Sequence, residues 1–92
     1  MIDEILDEFD FEKVHRVMVA LDWEVYIDGE KTISSIGHLR RTARSLLQHV
    51  VNNKDTVAVS TIGFTAYMHY GVLGLRFEVS SYEIELEKGI GQ

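Results

Sequence analysis

From Thr56 to Ser80 the chain carries its clearest pattern. The last run places Leu73, Leu75, Phe77 and Val79 at alternate positions, with Gly74, Arg76, Glu78 and Ser80 between them. This period of two marks a strand with one buried face and one wet face. The preceding run, Phe64 to His69, must reverse at Tyr70-Gly71, where glycine accepts the positive φ of a tight hairpin turn. Gly63 predicts a further turn or bulge between the first two strands. The whole segment reads as a β-meander and has no competing helical period.

Ahead of the meander the period changes to that of a helix. Ile2, Ile5, Leu6 and Phe9 form one stripe, and Val14, Val17, Met18 and Leu21 form another. Asp10 lies between the stripes, with its carboxylate placed to accept the amide of Glu12 or Lys13 and with Phe9 and Val14 at the staple positions. The spacing therefore predicts a short acidic turn, a break at Asp10 and a first main helix over Phe11 to Leu21. Trp23 to Ile27 alternates and predicts a short edge strand ended by the Asp28-Gly29 turn, although a loop pinned by a buried Trp23 has the same signature.

A second helix is predicted over Ile36 to Val51, with Ser35 as cap and Thr32 or Ser34 as alternatives. Ile36, Leu39, Ala43, Leu46, Leu47 and Val50 form its buried stripe, leaving Arg40, Arg41, Arg44, Ser45 and Gln48 outward. Asn52 and Asn53 suit a left-handed residue at its end. Tyr82 to Glu87 alternates again, so Ile84 and Leu86 either extend the sheet or dock on a neighbouring subunit. Residues 1–88 form one domain in this reading, and 89–92 a disordered tail. The predicted fold is two-layer α+β, with two helices on one face of a three- to four-stranded antiparallel sheet.

Composition narrows the functional classes. A chain of 92 residues buries only about 60–65% of its unfolded surface, so pairing with a second copy as a homodimer is expected. There is no cysteine, hence no disulfide framework and no thiolate metal site. The acidic start and the lack of a long apolar run predict no signal peptide and no membrane association, and so a soluble, cytoplasmic protein. The net charge of −6 is concentrated in Asp3, Glu4, Asp7, Glu8, Asp10 and Glu12 and in Glu83, Glu85 and Glu87. That balance disfavours generic nucleic-acid binding, which relies on clustered Lys and Arg, and favours a basic-surfaced protein partner.

Sequence motifs for catalysis are missing. His15, His38, His49 and His69 are scattered without metal-ligand spacing, no nucleophile elbow occurs, and no glycine-rich loop stands between a strand and a helix. The chain reads as a non-enzyme without metal or cofactor. Its one basic cluster is His38, Arg40, Arg41 and Arg44, where amides at a helix start and nearby guanidiniums suit a phosphate or carboxylate. The plain alternative is that these arginines answer the protein's own N-terminal acids. Tyr67, His69 and Arg76 share the non-core face of the sheet with Thr65, Gly74 and Glu78, and Gly74 there would permit close approach of a second copy.

The succession FEKVHRVMVALDW, SIGHLRRTARSLLQHVV and GFTAYMHYGVLGLRFEV resembles a group of small uncharacterised proteins of tailed bacteriophages. Leu21, Trp23, Ile36, Leu39, Thr42, Ala43, Leu46, Leu47, Gly63 and Phe64 carry the likeness, mostly at core positions, whereas Gly37, His38, Arg40 and Arg41 replace the acids usual at the start of that group's second helix. The resemblance implies a phage protein that binds and modulates or inhibits a host protein, including a defence factor, by occupancy. Asp3, Glu4, Asp7, Glu8, Tyr67, His69 and Arg76 are the candidate partner-binding residues. The alternatives are sequestration of an anionic nucleotide-like ligand by His38, Arg40, Arg41 and Arg44, and a structural or assembly role.

Overall fold

In a computed structural model, which describes residues 1–79 and 84–91, the break at Asp10 separates two helices. The N-terminal stretch is a full helix, α1 (Ile2–Glu8), and α2 (Phe11–Ala20) follows it. The Asp10 side chain accepts from the amide of Lys13 at 3.0 Å, satisfying one of the amides that a helix start leaves open. The cover therefore contains three helices where the hydrophobic stripes predicted two. α2 closes on Asp22, which adopts φ 52°. The Asp22 amide donates to Val19 and the Trp23 amide to Met18 at 2.9 Å, the paired bonds of a Schellman end. That cap, invisible to the apolar pattern, fixes where Trp23 leaves the helix.

Val25 to Ile27 is β1, but it is not an edge of the main sheet. It pairs with β2 (Glu30–Thr32) in a separate two-stranded hairpin, and Lys31 meets Glu24 at 3.0 Å beside it. α3 (Ile36–Asn52) starts at Ser35, whose side chain accepts from the His38 amide at 3.1 Å. Leu39, Ala43, Leu47 and Val50 are buried. Ile36, expected in that stripe, is 41% exposed; it sits in the first turn, where the Cβ tilt carries a side chain back past the helix start. The C-terminal end also departs from expectation. Asn53 is extended at φ −124° instead of left-handed, because its side-chain amide donates to the His49 carbonyl at 2.8 Å and caps the end directly.

The meander has four strands, β3 (Ala58–Thr61), β4 (Phe64–His69), β5 (Val72–Val79) and β6 (Ile84–Gly91), each antiparallel to the next. Ile62-Gly63 and Tyr70-Gly71 link the first three strands as two-residue turns with both residues at positive φ, the geometry that follows the twist of the sheet. Gly89, Ile90 and Gly91, expected in a disordered tail, instead pair with Gly74, Leu73 and Val72. Gln92 lies outside the described residues, as do Ser80, Tyr82 and Glu83. The apolar side of the sheet carries Phe64, Ala66, Leu73, Leu75 and Phe77, all buried beneath the helices with Ile5, Leu6, Phe11, Val14 and Met18. Leu86 packs half-buried against the same core, so β6 extends the sheet.

The described edge of β6 is guarded. Lys88 stands opposite Leu75 on the helix-covered face and reaches Glu8 of α1 at 2.6 Å. An inward charge at an edge discourages pairing with a further strand.

Candidate functional site

Residues opposite one another in an antiparallel ladder share a face, so the register defines the wet side of the sheet row by row. One row crosses the sheet as Ala58, Tyr67, Gly74 and Gly89, and the next as Ser60, Thr65, Arg76 and Glu87. Glu78 and Glu85 lie opposite each other beyond them. The first row holds a single large side chain. Tyr67 lies flat over Gly74, where an added Cβ would run into its ring and hydroxyl, and its hydroxyl extends to within 3.6 Å of the Cβ position at Gly89. Gly74 therefore accommodates the chain's own tyrosine and is buried by it, so it is not a point of approach for a second copy.

From that position the Tyr67 hydroxyl donates to Glu87 Oε2 at 2.9 Å, and Arg76 donates to the same oxygen through Nε at 3.3 Å and Nη2 at 3.1 Å. The Arg76 guanidinium also lies 6.0 Å from the Tyr67 ring centroid, within cation–π range. These contacts perturb all three groups. The bond from Tyr67, with help from Arg76, lowers the Glu87 pKa against an opposing effect of burial. Burial, then the bond to Glu87, raises that of the Tyr67 phenol, and the bond to Glu87 raises that of Arg76 further. Tyr67 stays a neutral donor and Glu87 a charged acceptor around neutrality. The group is a fixed polar constellation and holds no activated nucleophile.

Ala58, Thr65, Tyr67, His69, Arg76 and Glu87 line an open concavity of about 350 Å³, at the small end of the range in which ligand sites fall. Ala58 adds little bulk to its wall, and the Thr65 hydroxyl is held by Ser60 at 2.7 Å. From the concavity an aromatic row runs to the hairpin tip: Tyr67 and His69 meet edge-on at 6.0 Å, and His69 and Tyr70 do the same at 6.0 Å.

Tyr70 stands out energetically. It adopts φ 49°, a region that costs most side chains about 1–2 kcal/mol, and it is fully exposed. Three other non-glycine residues share positive φ. Asp22 and Asp28 are of a type that tolerates it, and Ile62 packs against the core. Tyr70→Asn creates the Asn-Gly pair preferred in this turn and is expected to raise stability by about 0.5–1 kcal/mol. A higher urea midpoint checks it; an unchanged midpoint would mean that the contact with His69 offsets the strain.

The basic cluster and the N-terminal acids, two separate candidate sites in the sequence, largely meet each other. Arg40 pairs with Asp7 at 2.6 Å and donates to the Leu6 carbonyl at 2.8 Å. Arg44 pairs with Asp3 at 2.8 Å, Glu8 with Lys88, and Glu4 lies 3.8 Å from the N-terminal amine. Arg41 and the half-buried His38 remain near the start of α3 without an ion pair among the described residues. Tyr67, His69 and Arg76 are together, as the alternation predicted. Two residues of this face carry no sequence signal for it: Glu87, whose place opposite Arg76 depends on register, and Tyr70, whose position before Gly71 signals only a turn.

Among the described residues, no helix is long and apolar enough to cross a membrane, and no group of residues suited to hold a metal occurs. Fold and site together define an α+β domain with a helical cover on one side of a four-stranded meander and a polar, aromatic concavity on the other. Compared with family models, curated proteins and solved structures, the chain matches none.

Proposed function

We propose that this protein is a non-catalytic binding module that acts by occupancy, and that its wet sheet face receives a basic-surfaced protein. The observation that carries this reading is the face itself: an open concavity with Tyr67, His69 and Arg76 on its wall and, beside His69, an exposed Tyr70 held at positive φ. Tyrosine and arginine are the residues that most often anchor protein interfaces. Strain kept at an exposed residue points to a role outside the folded chain. The net charge of −6 suits a basic partner by steering its approach. The internal pairing of Arg40 and Arg44 favours this face over anion capture at the start of α3, and the pairing of the N-terminal acids favours it over the carboxylate-rich end. The phage-type resemblance of the core pattern makes a bacterial host protein the class of partner, which the module would modulate or inhibit.

A photo-crosslinking residue at position 69 is expected to give one discrete protein adduct in bacterial lysate, weakened by salt, while the same residue at position 41 gives none. Adducts from position 41 alone, or none from either, would overturn this assignment.

A further inference from the structure

Glu87 uses only one of its two oxygens. All three bonds from Tyr67 and Arg76 end on Oε2, and no hydrogen bond to Oε1 occurs among the described residues. A carboxylate has acceptor capacity on both oxygens, about four lone-pair sites in all. This one is about 40% exposed and lines the concavity beside the rings of Tyr67 and His69. The cluster is pre-organised, since Tyr67 is wedged over Gly74 and Arg76 is held at two nitrogens. An incoming group therefore meets an acceptor already in place, with little further ordering needed.

We propose that the concavity seats an alkylammonium or guanidinium group, that is, a lysine or arginine side chain of the partner. Glu87 Oε1 takes its charge, and the Tyr67 and His69 rings flank its aliphatic stem. The assignment rests on the reading of this face as a partner surface and gives that surface its specificity. Arg76 is the objection, because it is a cation on the same wall. It is nevertheless outnumbered: Glu87 binds it through two nitrogens, and Glu78 and Glu85 form the next pair along the same face, so three carboxylates share that end of the face with one guanidinium. An anion entering the concavity would approach those carboxylates with one arginine, already engaged, to receive it. A second cation enters a field of the opposite sign and finds an acceptor oxygen open. The aromatic walls add cation–π attraction, which no anion gains.

The test uses the whole chain and three small probes, butylammonium, ethylguanidinium and acetate, added at constant ionic strength and followed by amide and aromatic NMR shifts. Both cations are expected to give saturable shifts confined to Thr65, Tyr67, His69, Arg76 and Glu87. Glu87→Gln is expected to weaken them by about tenfold or more, the loss of one charge-assisted contact. Glu12→Gln, on α2, should leave them unchanged. Glu87→Asp keeps the charge on a shorter stem and is expected to retain part of the binding that Glu87→Gln loses, and amide shifts of β5 and β6 residues outside the concavity check that the strand is kept in both variants. Shifts with acetate but not with the cations, or cation shifts spread over every acidic surface and indifferent to Glu87→Gln, would overturn the proposal. Saturable cation binding with no adduct from position 69 would keep the seat and remove the protein partner. An adduct without cation binding would remove the seat alone.

Discussion

Phe64→Ala is expected to take most of the protein's stability and bring it close to its unfolding midpoint at ambient temperature. Phe64 is fully buried at the start of β4, and its ring lies 6.1 Å from Phe9, 5.9 Å from Phe11 and 5.4 Å from Phe77. It joins the break between α1 and α2 to two strands of the sheet. Removing a buried phenylalanine costs about 3–5 kcal/mol through lost transfer energy and the cavity left behind. Domains hold only about 5–15 kcal/mol in total, and one of this size stands at the low end. The cavity cannot close easily, because the three neighbouring rings are fixed by different elements. Phe64→Leu keeps most of the volume and is expected to lose about 1–2 kcal/mol. Urea unfolding followed by circular dichroism checks both. A loss under about 1 kcal/mol for the alanine variant would show that the aromatic cluster is not the centre of the core.

Gly63→Ala should cost nearly as much with a far smaller change in side chain. Gly63 has φ 82°, and a methyl group there would come 2.8 Å from Phe77 Cε1 and 3.0 Å from Trp23 Cη2. Left-handed geometry costs an alanine about 1–2 kcal/mol, and the clash adds about 1–2 kcal/mol of overpacking. The obstructing atoms are carbons of two rings packed against each other at a tilt, 6.1 Å between centroids, not the loose end of a flexible chain. Trp23, the single tryptophan of the protein, reports the result, since its fluorescence should shift as the ring is displaced. A variant with the parental midpoint and emission would show that Trp23 does not rest on this turn.

Gly63 illustrates how much of the molecule could be read in one dimension. Its turn was legible, because glycine between two alternating runs means a reversal. Its close contact with Trp23 was not, since that depends on the Schellman end of α2 delivering the tryptophan to a turn forty residues later. The helix start at Ser35 and the alternation through β4 and β5 are local, so residue type and spacing suffice to predict them. The α3 C-terminal cap, the independence of the β1–β2 hairpin and the pairing of residues 89–91 are not. Each turns on which of several adequate partners a group meets in space: the Asn53 side chain found a carbonyl where a left-handed backbone would also have served, and three small or apolar residues without a period found β5.

The candidate site divides the same way. Tyr67, His69 and Arg76 fall on one face because a strand alternates, and period alone places them together. Their union with Glu87 is a matter of register, and a shift of one residue in β6 would turn that carboxylate toward the helices. Charge totals foresaw that acids and arginines would be plentiful; which arginine meets which acid is a question of the distances between α1 and α3. Short-range preferences act through the neighbouring few residues and are written along the chain. Pairing across strands and between layers depends on the closure of the whole core, and only the folded chain decides it.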